Sequence, residues 1–560
     1  MRETRRERRQ VRRAEARQNA PAPVAKGLRA ARFAPLLIAI AGYLAYQNSL
    51  RGAFVLDDIP AISWNATIRS LGWGVLSPPV RTAVASRPLV NATLALNYAI
   101  GELDPRSYHL FNIGLHIAAA LLVYGIVRRT FARIDPAGAA RGTGDGIAAA
   151  TAVLWVVHPL ATETVDYTIQ RTELLMALFV LGTLYAAIRA FASARPRGWY
   201  AAALAAFVLG LASKEIIVVA PAIVLVYDRL FVSPSWRVAW KKHWPLYAGY
   251  VVLLALFVLL VGTRLRRAFN RNVLGRPTTP WEWALTQSGV IIHYLRLVVW
   301  PAPLSADYDG WPITGSVTSV LPQLLVVTGL FALTAWGFVR NRPIAFAGVW
   351  FFLLLGPTSS FRPIPSEVAA ERRMYLPLVA VVLLSVLGIR ALVRWLDAPN
   401  GVGTAIIAAL ALTFLVMTAR RNEVYRSTLT FWQDIVDKRP DNPRARIGLG
   451  FTLQRQGRSR EGLPHIEEAV RLAPGNSHAH YSLGSILESL GRADEAIPHF
   501  EEAIRLYPQN AHAHYSYGRA MMRRGFLEQA DQHFEAALRS QPSLTQARSA
   551  LENLRLQCVP

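Results

Sequence analysis

Residues 33–60 read FAPLLIAIAGYLAYQNSLRGAFVLDDIP. The run 33–50 is apolar over nearly the length a bilayer crossing requires, about 20 residues. Two adjacent carboxylates, Asp57 and Asp58, follow it closely. Charge at a membrane edge is costly without a purpose. Pro60 biases Ile59 away from helical geometry, so the pair falls in a turn, and a helix cap would use only one Asp. The stretch reads as a membrane anchor ending in a polar turn that is either functional or simply solvated.

Upstream, Arg2, Arg5, Arg6, Arg8, Arg9, Arg12, Arg13 and Arg17 make a basic tail interrupted by three Glu. No small-residue cleavage site follows Leu50, so residues 1–32 are expected to be a cytoplasmic tail on an uncleaved anchor. Downstream, the 560-residue chain divides: 33–420 is long apolar runs with short breaks, and 421–560 is ordinary soluble sequence. Charged residues make up 17% of the whole, less than the roughly 25% of a soluble protein. The net charge is +25, yet only five of the 61 basic residues are Lys, which suggests a GC-rich, bacterial source. Arg flanking membrane spans explains the charge better than nucleic acid does, so no nucleic-acid partner is expected. Cys558 is the only cysteine, which excludes an intrachain disulfide or a Cys-based metal site.

Candidate spans are 33–50, 107–127, 147–160, 172–191, 199–213, 215–232, 244–263, 319–339, 343–357, 374–396 and 402–419. With the tail inside, the next three inner loops are basic: Arg128, Arg129, Arg133 and Arg141; then Arg189, Arg195 and Arg197; then Arg229, Arg237, Lys241 and Lys242. This obeys the positive-inside rule. Segment 282–300 is apolar but holds Gln287, Ser288, His293 and Arg296. If it crosses, Arg340, Arg342, Arg390 and Arg394 fall outside. If it lies in the interface, all four fall inside, which gives 11 spans and an external C-terminal part. The second arrangement is favoured. It leaves Arg420, Arg421 and the loop with Arg264, Arg266, Arg267, Arg271 and Arg276 outside, placed to meet an anionic ligand.

In the soluble part, Pro440, Pro474, Pro508 and Pro542 are 34 residues apart, as are Gly450, Gly484 and Gly518. Gly457, Gly491 and Gly525 keep the same period, and so do Ala469, Ala503 and Ala537. This is the register of tetratricopeptide repeats, in which small residues let the two helices of a hairpin approach closely. Three repeats fill 443–544, a connecting helix with Phe431 and Trp432 occupies 421–442, and 545–560 caps the stack. Such stacks bind peptides or proteins, or serve as scaffolds.

Several ionisable residues fall on the same predicted outer face as Asp57 and Asp58. His158-Pro159 ends the third span, with Glu163, Asp166, Arg171 and Glu173 after it. Ser213-Lys214-Glu215 breaks the fifth and sixth spans, and Glu371-Arg372 opens the tenth. Each has a bland reading, as a structural histidine or a satisfied ion pair. Their convergence points to a site that handles a lipid-borne phosphate. Asn65-Ala66-Thr67 and Asn91-Ala92-Thr93 match the glycosylation pattern and are read as chance.

Together these residues resemble the GT-C superfamily of membrane glycosyltransferases, and within it the transmembrane, tetratricopeptide-repeat O-mannosyltransferase-like proteins. The resemblance rests on Phe54-Val55-Leu56-Asp57-Asp58, Arg87-Pro88-Leu89, Asn97-Tyr98, Tyr108-His109-Leu110-Phe111-Asn112, His158-Pro159-Leu160 with Glu163 and Arg171, Ser213-Lys214-Glu215, Glu371-Arg372, Tyr375-Leu376-Pro377 and the repeats. It implies transfer of a sugar, mannose by that likeness, from a polyprenyl-phosphate carrier to an acceptor hydroxyl on the non-cytoplasmic face. Protein Ser or Thr would be the acceptor, docked by the repeats. It also implies that Asp57 or Asp58 is the general base. Adjacent side chains in an extended turn point apart, so the two should not share one role. His158, Glu163, Arg171, Lys214, Glu215, Glu371 and Arg372 are the candidates for the donor and phosphate side, Arg for its fork of donors. No ligand set for a metal stands out, so none is expected to be obligatory, although some GT-C enzymes use a divalent cation. The expected fold is all-α: a GT-C-like bundle of about eleven spans over 33–420, then an α-solenoid. The competing readings are an O-antigen ligase or polymerase, disfavoured by short late loops, and a non-enzymatic membrane-tethered scaffold.

Overall fold

A computed structural model describes residues 32–557 other than 81, 141, 270–277, 360–362, 364–366 and 400. The basic tail as far as residue 31, Arg271, Arg276 and Cys558 lie outside the described residues. Among the described residues, every regular element is a helix.

Six helices are long and apolar enough to cross a membrane: Pro105–Ile134, Thr168–Phe191, Trp236–Leu260, Thr318–Val339, Pro377–Trp395 and Gly401–Arg426. A seventh is counted if Thr143–Val156 and Pro159–Asp166, bent by 55° at Val157-His158, form one broken span. The count of eleven is therefore not established by length and composition. Ala34–Tyr46, Arg197–Leu211 and Ala345–Leu355 are apolar but short, with 13, 15 and 11 residues. Segment 215–232 is a 3-10 turn, a short helix over Ala220–Tyr227 and a π turn. Pro280–Val299 is a helix that does not pass for a span. Some of its polar groups find partners within the protein: the Gln287 amide nitrogen donates to the Val368 carbonyl at 3.1 Å, and His293 meets the Tyr308 hydroxyl at 3.2 Å. Among the described residues, the Gln287 oxygen and the Trp283 ring nitrogen are buried without a hydrogen bond.

The helix starts follow from local chemistry. Pro occupies the first turn of Pro88–Gly101, Pro105–Ile134, Pro280–Val299 and Pro377–Trp395, where its missing N–H has no intrahelical partner to lose. Asp104 caps the second of these, and Thr279 with Glu282 makes a capping box on the third. Gly401–Asn422 and Leu321–Val339 leave long apolar side chains such as Leu325, Leu333 and Leu412 exposed, as lipid-facing helices do. Trp155, Tyr46, Phe207 and Tyr294 fill the bundle core.

The repeats form three helical hairpins: Pro443–Arg455 with Ser459–Leu472, Ser477–Ser489 with Ala493–Leu506, and Ala511–Arg523 with Leu527–Ser540. Asn442, Asn476 and Asn510 cap the leading helices. Gly457, Gly491 and Gly525 each turn one chain reversal, at φ +76°, +79° and +81°. A Cβ on Gly484 would lie 2.5 Å from the Phe500 ring, so helices approach there as the period requires.

Candidate functional site

The loop after the first helix splits its two carboxylates. Leu56 sits at φ +47°, and of the two acids after it Asp57 is exposed and Asp58 buried. Asp58 is fully buried. It accepts the Val55 amide at 3.0 Å on one oxygen and the Ile169 amide at 2.7 Å on the other. Burial pushes its carboxyl up to about 8, while those amides pull it down. Asp58 therefore staples the turn to the segment ahead of Arg171. Asp57 is exposed. The Tyr167 hydroxyl accepts the Asp57 amide at 2.9 Å. Its carboxyl is raised, first by desolvation from the protein around it and then by Glu367, while Tyr167, Arg372 and Arg444 lower it. The solvent that reaches Asp57 tempers this shift.

Around Asp57 the loops that were expected to share a face do meet. Arg372 donates its amide to Glu163 at 2.8 Å, and its guanidinium pairs with both Glu163 and Glu367. Glu163 is 1% exposed, whereas the Glu367 side chain is 43% exposed. Lys214 pairs with Glu173. Glu215 lies at the rim, 3.5 Å from Arg87. A narrow cleft of about 20 Å³ lies between Glu173, Arg372, Arg373 and Tyr375. Glu371 is buried; one oxygen accepts the Ser305 amide at 2.6 Å and the Tyr308 hydroxyl at 2.7 Å, and the other has no hydrogen-bond partner. Burial pushes this carboxyl up to about 7, with Arg421 opposing and Glu163 adding.

Two of the candidates are enclosed by the protein. Arg171 is fully buried and spent on structure: it donates to Asn112 at 2.8 Å, to Asn97 at 2.6 Å, and to the carbonyls of Thr93 and Tyr108 at 3.1 and 3.0 Å. It clamps the 88–112 segment and has no face for a phosphate. His158 is likewise enclosed, with one ring nitrogen on the Val298 carbonyl at 3.1 Å and the other accepting the Leu160 amide at 3.1 Å. The glycosylation-like Asn65 and Asn91 are buried and bonded to each other at 2.8 Å, so they fasten the loop. Sequence reasoning missed Tyr167, Asp307, Asp309, Glu367 and Arg444. No motif marks them; Asp307 and Asp309 are seen only once Arg444 comes against both, at 3.5 and 3.6 Å. Among the described residues, no three His, Cys, Asp or Glu side chains come together as a metal-ligand set.

Residues 85–261 match the dolichyl-phosphate-mannose-protein mannosyltransferase family, and 448–511 and 487–554 match tetratricopeptide repeats. The human protein O-mannosyl-transferase TMTC1 is 24% identical over 492 residues, covering 78% of this chain and 54% of the relative. The Drosophila melanogaster protein O-mannosyl-transferase Tmtc3 is 26% identical over 516 residues, with the same coverage of 78% and 54%. The chain is similar to the transmembrane, tetratricopeptide-repeat protein O-mannosyl-transferases. It spans about half the length of these curated relatives (54%). Among solved structures, YrrB, a TPR protein with an unusual peptide-binding site, matches 31% of this chain and 89% of its own at 21% identity, with a TM-score of 0.21.

Proposed function

We propose that this protein is a membrane glycosyltransferase that moves mannose from a polyprenyl-phosphate carrier to a hydroxyl, that of a protein Ser or Thr, on the non-cytoplasmic face. The observation that carries the reading is the divergence of the two carboxylates: Asp58 is consumed by two backbone amides, and Asp57 is left open beside a rim of paired arginines and carboxylates. Asp57 is the general base and Asp58 the residue that holds its turn.

The chemistry needs little more. The hydroxyl oxygen bonds to the anomeric carbon as its proton passes to Asp57, and the carbon–oxygen bond to the phosphate breaks with its electron pair leaving on the phosphate. Positioning the hydroxyl and stabilising the departing charge are the enzyme's tasks. Arg372 and Arg373 line the cleft, Lys214 pairs with Glu173 on its wall, and these cations serve the phosphate once it displaces a carboxylate partner. Their present partners are carboxylates, and the half-exposed Glu367 is the one a phosphate displaces at least cost. Glu163 and Glu371 hold Arg372 and the neighbouring loop in place.

The test is transfer from polyprenyl-phosphate [3H]mannose to a Ser/Thr-rich peptide by the full chain in nanodiscs. Asp57→Asn should lower the rate by about 10²–10⁴-fold, the usual contribution of a general base, while leaving donor binding intact. Full activity in Asp57→Asn would sink the assignment.

A further inference from the structure

The first repeat is not tethered loosely to the membrane part. Val55, Tyr167 and Ile169 beside Asp57 share one apolar core with Tyr425, Phe431 and Trp432, and Ala445 and Leu449 of the first repeat join the same core. The Ala53 amide donates to the Tyr425 carbonyl at 3.0 Å. A second seam runs along the 301–311 loop. Lys438 donates to the Leu304 carbonyl at 2.8 Å, and Arg439 lies over the Tyr308 ring at 5.1 Å. Gly310, at φ +79°, lets the loop turn under the Asp441 carbonyl, which would lie 3.3 Å from a Cβ. Tyr308 in turn donates to Glu371 at 2.7 Å.

Arg444 lies at the head of the first repeat helix, where these seams meet. It faces Asp307 at 3.5 Å and Asp309 at 3.6 Å. Asp307 is buried, and one of its oxygens makes no hydrogen bond, so the nearby guanidinium answers a charge that would otherwise be expensive. We propose that Arg444 is a positioning residue of the transfer site: the docked repeat holds it against the Asp307–Asp309 turn, on the seam whose apolar core also contains Val55 and Tyr167 of the Asp57 loop, and the repeats thereby close the rim that receives the acceptor hydroxyl. The proposal rests on Asp57 being the base. The charged and titratable groups facing Asp57 are Glu367, Tyr167, Arg372, Arg444 and its neighbour Asp58. Two of these are cations, one from each part of the chain, and each favours the ionised carboxylate that a base requires.

The pH profile of transfer by the full chain separates this role from a merely structural one, with the same polyprenyl-phosphate [3H]mannose and peptide as probes. Removing a cation makes Asp57 easier to protonate. Arg444→Ala should therefore move the acid limb to higher pH by about half a unit, the size of an exposed charge pair, giving about a threefold loss on the acid side and little loss above it. Arg444→Lys should return the limb to its original place. Arg519→Ala, in the third repeat, should leave the profile unchanged. An unmoved limb in Arg444→Ala overturns the proposal. So does a uniform loss at every pH that Lys does not rescue. If Asp57→Asn retains full activity, the base assignment fails and takes this proposal with it; if Asp57→Asn is inactive and the Arg444 limb stays put, only this proposal fails.

Discussion

In the repeats, Arg458 pairs with Glu461 and Arg492 with Glu495, each bidentate, three residues apart and open to solvent. Around Asp57, Arg372 pairs with a Glu163 that lies 209 residues away and is 1% exposed. The residue types are the same, and the physics differs. An exposed local pair trades water for a partner at small net gain and is screened by salt. A buried pair has already lost its water, so each partner depends on the other. The first kind decorates a helix; the second sets the geometry of a site. If that distinction holds, substitutions in the two regions should differ by much more than the bond lists suggest.

The largest effect is expected at Glu163. Glu163→Ala strands the Arg372 guanidinium on its buried side, and removing one partner of a buried pair costs roughly 3–5 kcal/mol. The thermal midpoint in nanodiscs should drop clearly, and mannose transfer should be lost even below that midpoint because Arg372 no longer borders the crevice. A midpoint no lower than that of an exposed repeat variant would erase the contrast.

The same contrast explains what could be read from the sequence. The repeats were legible because their determinants are local and periodic. A small residue must sit where Gly484 meets Phe500, Asn476 must cap, and Gly491 must turn, so the 34-residue register carries its own explanation. The all-α membrane part was legible from hydropathy; the turn at Asp57 and Asp58 was expected to be extended, whereas Asp58 is helical and leads into the π turn Ile59–Ser63. Long-range pairing was not legible. His158 and Arg171 looked like chemistry because they are polar near a membrane edge, yet burial had spent them on backbone and amide partners. No motif marks Glu367, Asp307 or Arg444, and only folding brings Glu367 to Arg372 and Arg444 to Asp307. The short helices, Ala34–Tyr46 and Ala345–Leu355, also show why a count of apolar runs does not fix a count of spans.

A middle-sized effect sharpens the comparison at Glu371, where burial has raised the carboxyl from its ordinary range to about 7. A carboxyl raised on folding stabilises most fully below its unfolded pKa, near pH 4.5, and that stability is lost as pH rises through about 7. The oxygen without a partner is the natural seat of the proton. Glu371→Gln imitates the protonated form and keeps an acceptor for Ser305 and Tyr308. Wild type should therefore lose stability of the order of 3 kcal/mol between those limits, and the variant should lose less. Parallel stability–pH curves for the two proteins would show that Glu371 does not titrate in this window.

The smallest effect belongs to Arg458→Ala. Arg458 precedes the Ser459–Leu472 helix, and its partner Glu461 stands in the first turn. The positive end of the helix dipole already favours a carboxylate there, so Glu461 keeps a favourable site after the guanidinium has gone. Solvent then replaces the arginine without stranding any buried group. The melting midpoint should not move measurably, at low or high salt, and the helical circular dichroism should be unchanged. A clear, salt-sensitive drop would mean that the periodic Arg–Glu pairs act together along the stack, and the exposed region would then have to be placed with the buried site rather than against it.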